Sequence, residues 1–507
     1  MKRLILVIGI TIALSTNLYS ETIELTLKEA LVLALDNNRD IKIERFNIDK
    51  SEGEIKRQKG LFDPLLSFES SYSKSELPTA STFIESGAVN EDGFNINVAV
   101  AGRLPTGTFY DLVKFSATRT ETDSPIEALS PNWFTSLNFS IGQDLLRDFG
   151  LDVNLVGVIT AKKSSDIAVN ELEKRISEVF LNVEIHYWGL IGFLENLELQ
   201  KKALELAKDL QTRNEIQVEV GVLPQIAVTQ AKSEVAARQV DVITAENSVE
   251  AVADRLKNIL VLPLSSQIKP IDDPIKEYKD YNLKLIIEES LRNRPEIRQA
   301  KLEIEKNENL RKFYSNQRLP KLSVQGILEF QGLGGDENLD RVNFGGGELD
   351  PIPEQFNQPG DAFDQLYNGD FLNWSILGVF SYPIFNWEAR GQYIKAKADL
   401  NRTVIEYDKT VDDINLDVRN SIRELENGKR RIQAADMSVD LASQVLSNEG
   451  ERLKVGMGTT RHVLEAQRDL VDARASQIRA IADYNIALAR LERAKGTIIQ
   501  SKGIVIK

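Results

Sequence analysis

No cysteine occurs among the 507 residues, and histidine occurs only twice, at His186 and His462. The first absence removes disulfides, thiolate metal sites and lipidation of a mature N-terminal cysteine together. The second leaves too few imidazoles, too far apart in sequence, for a metal centre. Long apolar runs are missing too. After Leu14 none approaches the roughly 20 residues that a membrane-crossing helix needs, so any crossing of a bilayer falls to strands. An excess of positive charge is also absent: the formal net charge is −14, which argues against nucleic acid as a partner. The single N-terminal apolar run, Leu4 to Leu14 behind Lys2 and Arg3, leads through small and polar residues to Ser20. It reads as a secretory signal peptide over residues 1–20, because it is too short for an anchor.

What is present is a heptad. Val404, Val411, Val418, Leu425, Ile432, Val439, Leu446 and Leu453 recur without a miss, which is a coiled-coil seam on a helix from Glu388 to Val455. Such a helix is on the order of 100 Å long, far beyond what a globular domain requires. On the partner side of the seam the residues shrink through Tyr407, Ile414, Ser421, Gly428, Ala435 and Ala442, so neighbouring backbones can draw close. A constant offset carries Val418, Val439 and Leu453 onto Val183, Leu204 and Val218, within a second ladder that includes Val169, Ile176, Leu190 and Leu197 and is broken only by Gln211. The same offset superimposes Val455-Gly456 on Val220-Gly221, and Val463, Leu470, Tyr484 and Leu491 on Val228, Val235, Val249 and Leu256. The chain therefore carries two copies of a long helical hairpin, expected over 150–260 and 388–496.

Each copy opens with a helix of its own, expected over 25–62 and 284–318. Leu35, Asn37, Ile41, Ile48 and Lys50 match Leu291, Asn293, Ile297, Ile304 and Lys306. Pro64 and Pro320 end these helices, and the period then changes to two. Strands are expected at Leu65–Ser73, Phe94–Leu104, Thr108–Arg119 and Trp133–Gln143 in the first copy, and at Lys321–Gln331 and Phe371–Phe385 in the second. Phe94, Ile96, Val98 and Val100 alternate with Asn95, Asn97, Ala99 and Ala101. Alternation alone also suits a soluble sheet with one buried face. The leader, the rods, the short Pro105-Thr106-Gly107 turn and the long polar segments after Tyr72, Thr118 and Phe330 favour an outer-membrane barrel, with short turns on one rim and long loops on the other. Six strands cannot close a barrel of useful bore, so several copies of the chain are expected to share one.

The loop from Gly332 to Asp370 holds nine acidic residues against the single Arg341. Asp336, Glu337 and Asp340 lack the spacing of a calcium loop, and Gly345 to Gly347 lack the Lys-Ser/Thr of a phosphate loop, so both read as solvated surface. Pro263, Pro270 and Pro274 make residues 263–283 an irregular connector, with the tail 497–507 as its counterpart. His186 reads as packed near the seam, and Val183, Tyr187 and Leu190 as core. No catalytic residue, cofactor or metal is expected.

Helix, proline, strands and helical hairpin, given twice (21–262 and 284–496) behind a leader, resemble the outer-membrane efflux protein family of the TolC type. The tip Val455-Gly456-Met457-Gly458-Thr459 with Val463-Leu464-Glu465-Ala466-Gln467 and Leu470 resembles that family's "VGxxT…VLxAxxxL" signature. Val220-Gly221-Val222 through Ala231 is a weaker instance. Asp144-Leu145-Leu146-Arg147-Asp148-Phe149-Gly150 and Tyr382-Pro383-Ile384-Phe385 resemble its "QPLL..FG" and "xPIF" junctions, with Asp144 where the first expects proline. The resemblance implies an α+β membrane protein with two internal repeats. Three copies would pool their strands into one β-barrel in the outer membrane and their helical hairpins into a periplasmic α-barrel. It also implies an exit duct, for efflux or type I secretion, working with a periplasmic adaptor and an inner-membrane transporter. The family usually has two strands per repeat and the first copy here has four. Either the barrel is wider or the hairpin around Pro105 lies partly outside it.

By alignment with the family, the periplasmic gate falls on His462 and Glu465, and the adaptor-contacting tips on Val220, Gly221, Val222, Leu223 and Val455 to Thr459. Three copies would ring the mouth with histidines and carboxylates whose charge changes near pH 6.5. The arginine and tyrosine that latch the mouth in relatives correspond to Gly458 and Leu453, so a latch here must be built differently. Two other readings compete: a periplasmic adaptor, which has one hairpin rather than two, and a coiled-coil filament protein, which would lack strands at fixed offsets.

Overall fold

The computed structural model describes residues 22–84, 86–275, 279–343 and 349–504. The expected leader, residues 1–20, and the Gly345–Gly347 run lie outside them. The described chain divides into a strand-bearing unit, Ile48–Ala168 with Ala300–Tyr407, and a helical unit made from the rest.

The first copy begins with a short strand, β1 (Thr22–Leu25), which no expectation covered and which meets the expected helix only at Leu25. Thr26 then caps α1 (Leu27–Asn37) through a capping box with Glu29. The expected unbroken helix is in fact two, because Asn38 ends α1 and its Oδ1 accepts from the Asp40 backbone N–H at 2.9 Å, starting α2 (Arg39–Lys59). A single 3₁₀ turn, Gly60–Phe62, leads to the strands, so α2 stops short of Pro64. The strands are β2 (Leu65–Pro78), β3 (Ala88–Arg103), β4 (Thr108–Thr122) and β5 (Leu129–Asp144). A short α3 (Leu151–Asn154) precedes the hairpin α4 (Val156–Glu219) and α5 (Ile226–Leu260). The connector is not wholly irregular. It holds β6 (Gln267–Pro270), which pairs in parallel with β1 from Thr22↔Gln267 to Leu25↔Pro270.

The second copy repeats the plan. Its first helix is again split, into α6 (Leu283–Asn293) and α7 (Pro295–Asn316), with Pro295 at the first helical position. Then come β7 (Lys321–Glu337), α8 (Asp361–Asn368) inside the acidic loop, and β8 (Phe371–Ser381), which ends before the expected Phe385. The hairpin α9 (Trp387–Lys454) and α10 (Thr460–Lys495) follows, and the tail carries a turn of helix, α11 (Ile498–Ser501).

Six strands form one antiparallel sheet in the order β2-β3-β4-β5-β7-β8. Five of the strands run 14 to 17 residues, longer than expected, because they continue past the membrane-sized alternation into mostly polar ends, while β8, at 11 residues, is shorter than expected. Pairing turns the sequence alternation into two faces. Phe139 lies opposite Leu328, and Leu328 opposite Trp374; Phe115 lies opposite Val98 and Leu137. The other face is polar. Asn95 donates to Thr118 at 2.6 Å, Ser140 to Asp111 at 2.7 Å, and Gln325 to Ser140 at 3.1 Å. A sheet apolar on one side and hydrogen-bonded on the other is what a wall between lipid and water requires.

In the helical unit the seams pack as the heptads predict over their middle thirds. Ile176, Val183, Leu190, Val418, Leu425 and Ile432 are buried. The rungs Val169, in the helical unit, and Val404, in the strand-bearing one, are 50% and 41% exposed, so each is left uncovered in the described chain. Gly428 shows why the small residues matter. A Cβ on it would sit 3.2 Å from the ring of Tyr484, which is itself buried.

Candidate functional site

The two hairpin tips are built alike. At the first, Gly221 takes φ +77°, its N–H donates to Val218 at 3.0 Å, and Val222 N–H reaches back to Gln217 at 2.8 Å. At the second, Gly456 takes φ +76°, donating to Leu453 at 3.1 Å, while Met457 N–H donates to Arg452 at 2.9 Å. Both are Schellman ends, where glycine alone adopts the left-handed turn without cost. The chain then restarts differently. Thr459 caps α10 by accepting from the His462 N–H, whereas Gln225 offers α5 no side-chain cap. Gly458 packs so tightly against Arg452 and Leu453 that a Cβ would lie 2.9 Å from the Leu453 nitrogen. Apolar side chains are left in water at both tips: Val220, Val222, Val455 and Met457 are each about two-thirds exposed. Leu223 is half-buried beside them.

His462 projects from the first turn of α10 and Glu465 from the second, and both are exposed. His462 Nδ1 lies 4.0 Å from Glu449 on α9. Glu465 accepts from Arg461 at 2.7 Å, and that bond holds its carboxyl below the usual range. The sequence reading paired His462 with Glu465 and passed over Glu449 and Arg461, which are the groups each of them meets.

A second cluster lies along the same hairpins. Glu234 on α5 is buried, accepts from Arg238 at 2.8 Å, and is bonded across to Arg468 on α10. The Arg468 guanidinium holds its proton more firmly than usual, first through that hydrogen bond. Sequence reasoning missed it because Glu-Arg at four-residue spacing reads as a solvated helix face. Nothing in one dimension marks a partner on another helix.

The helical unit also ties β1 and Lys502 to its helices. The buried Tyr187 hydroxyl lies 2.9 Å from the Leu25 carbonyl and 2.5 Å from the Asp272 carboxylate, joining α4 to β1 and to the connector. Tyr187 was expected as plain core, and its hydroxyl does more. Burial and that carboxylate push the phenol above its ordinary range. Lys502, just past α11, reaches Glu184 at 3.2 Å and Glu492 at 3.4 Å. Burial pushes the Glu184 carboxyl up to about 6. His186 is half-buried, its Nδ1 2.7 Å from the Asn182 carbonyl.

The model of the family described as outer membrane efflux protein matches residues 30–260 and 286–497. The chain belongs to that family. Solved channels share its fold. The Campylobacter jejuni CmeC outer membrane channel superposes with TM-score 0.64 at 17% identity, over 93% of this chain and 86% of that one. For the Vibrio cholerae outer membrane protein VceC the values are 0.65, 15%, 93% and 96%. For the Neisseria gonorrhoeae MtrE channel, solved in its open state, they are 0.63, 16%, 93% and 89%. No curated protein matches the sequence.

Membership makes the protein an outer-membrane efflux channel, a passive conduit and not an enzyme. Channels of this family act with a periplasmic adaptor and an inner-membrane pump. The adaptor and filament readings fall away. No described helix is long and apolar enough to cross a membrane, and the two-faced sheet is the element suited to do so. Asp144, which stands where the family motif expects proline, is buried and lies 3.4 Å from Arg103 on β3.

Proposed function

We propose that three copies assemble into one duct, pooling their sheets into a single barrel in the outer-membrane lipid and their hairpins into twelve periplasmic columns. One observation carries this: the sheet ends in β2 and β8, whose side chains are exposed almost throughout and whose outer backbone edges pair with nothing in the described chain. An open strand edge is untenable in hydrocarbon, so neighbouring copies must complete it. The uncovered rungs Val169 and Val404 fit the same account, since a neighbouring helix would bury them. The division into residues 21–262, a connector over 263–283, residues 284–496 and a tail over 497–507 follows the two internal repeats.

In this reading the apolar tips, Val220 to Leu223 and Val455 to Thr459, meet the adaptor, because exposed apolar side chains clustered on a turn favour a protein partner. His462 and Glu465 ring the periplasmic mouth in threes. Protonating His462 would place a cation beside Glu449 and add three positive charges to the ring, changing conductance.

Assembly is tested by gel electrophoresis of detergent-extracted outer membrane with and without heating. A heat-labile band at three times the chain mass is expected, and a monomer in unheated samples contradicts it. The gate is tested by His462→Leu with Glu465→Ala in planar bilayers. Loss of the pH dependence between pH 5 and 8 is expected; a variant that titrates like the parent rules the gate out.

A further inference from the structure

The first copy spends four strands where the family pattern has two, and the additional pair is β3 and β4. The pair is not a flap on the sheet. It is built into the wall, between β2 and β5. Leu65 to Pro78 of β2 pair residue by residue with Ala101 to Ala88 of β3, and β4 pairs with β5 from Thr108↔Gln143 to Thr120↔Asn132. The strands β2 and β5 are not neighbours at all.

Its two faces continue those of the neighbouring strands. Ile96 and Val98 lie on the same side as Phe139 and Trp374, and Asn97 and Ser116 on the side of Ser140. A soluble appendage would have no reason to keep a lipid-grade face in register with a membrane wall.

The turn at its foot is fastened too. Gly107 takes φ +91°, and a Cβ there would lie 2.4 Å from the Asp148 carbonyl, so only glycine fits. Thr106 accepts from the Gly150 N–H at 3.2 Å and from Gln143 at 3.2 Å. Arg103 reaches over β4 to the buried Asp144. The hairpin is thereby bonded to the junction where β5 gives way to α3.

From these contacts we infer that the barrel of this protein has eighteen strands, six from each copy, and is as wide as a porin. The inference rests on the three-copy reading above. With strands about 4.8 Å apart and tilted by roughly 40°, eighteen strands close at a backbone diameter of about 36 Å, against about 24 Å for twelve. Barrels of 16–18 strands leave an open aqueous channel. The polar face that would line it is mostly serine, threonine, asparagine and glutamine, with Glu69, Glu91, Asp111, Lys114 and Glu329 also on it, so the exit segment passes hydrophilic solutes.

The absence of native cysteine makes disulfide trapping in the full-length protein, in native outer membranes, a clean test. Ser71→Cys with Asn95→Cys, paired directly across β2 and β3, is expected to form an intrachain bond. Glu69→Cys with Ser136→Cys sits level on β2 and β5 with two strands between, and is expected to form none. Ser67→Cys, Ser71→Cys or Ser73→Cys, each combined with Asn373→Cys or Ser375→Cys, is expected in at least one register to convert the heat-labile trimer wholly into a heat-stable one. A Glu69–Ser136 disulfide would overturn the wide barrel and leave the trimer standing. Failure of every β2–β8 combination while the Ser71–Asn95 bond forms would instead overturn the shared barrel itself.

Discussion

The two copies of the repeat agree in their hairpins and disagree in their strands. Both hairpins end in the same glycine turn, at Gly221 and Gly456, with the same pair of backbone bonds. Both opening helices break at equivalent positions, Asn38 and Arg294, by different means. Asn38 caps the next helix with its side chain, while Arg294 binds Asp417 and Glu296 and leaves initiation to Pro295. The strands differ by a whole hairpin. Helices packed along a seam are locked to one another rung by rung, so inserting residues would throw every later contact out of step. A barrel wall needs only antiparallel neighbours and a closed edge, so it accepts strands in pairs.

The seam supplies the sharpest contrast, and the largest expected effect. Copy two places Gly428 against Tyr484, and the equivalent positions of copy one are Phe193 and Val249. Gly428→Phe forces a ring into the space Tyr484 fills and should cost on the order of 3 kcal/mol. Adding Tyr484→Val, which installs the pair of copy one, should recover most of it in urea unfolding of the detergent-extracted protein. No recovery would mean the two hairpins are not interchangeable at this rung.

The buried carboxylate gives the next effect. Glu234→Ala strips Arg238 and Arg468 of a shared partner and should destabilise by about 2 kcal/mol, discounted because Arg468 is more than half exposed. The equivalent residue of copy two, Asp469, is exposed, and Asp469→Ala should change stability by less than about 0.5 kcal/mol. Comparable losses would show that burial is not what distinguishes the two sites.

Acidity separates the copies as well. Glu184 titrates near 6 in the fold, raised by burial and Glu492 against the pull of Lys502, from an ordinary 4.5. A raised carboxyl stabilises the fold fully below pH 4.5, and that contribution is lost as pH rises through 6. Wild type should therefore weaken by about 2 kcal/mol across that window, and Glu184→Gln should flatten this part of the profile. Arg419 occupies the equivalent place in copy two, so no matching fall is expected from there. Melting midpoints at pH 5 and pH 8 decide it.

The smallest effect is at the tips. Gly221→Ala and Gly456→Ala each put a methyl on a left-handed turn and should each cost about 1 kcal/mol. Equal losses in efflux complementation would mean both tips serve the partner; a loss at only one would assign contact to that tip.

Much of this was legible in the sequence, for physical reasons. A heptad sustained over eight rungs can mean little else, and alternation gave all six strands because membrane walls must be apolar on one side. The breaks at Asn38 and Arg294 were hidden because apolar spacing runs straight through them, although Pro295 was a readable sign. The strands β1 and β6 are four residues each and pair across most of a repeat, so no local period announces them. At the tip, His462 and Glu465 were visible by alignment with the family, while Glu449 and Arg461 were passed over. The Glu234 cluster depends on which helix lies opposite, and that is settled only by tertiary packing.

Single-particle imaging of the full-length protein extracted from outer membranes tests the central claim most directly. The account predicts a three-fold particle whose membrane segment has eighteen strands and a backbone diameter of about 36 Å. A three-fold barrel of twelve strands, with residues 88–122 outside the wall, would contradict it.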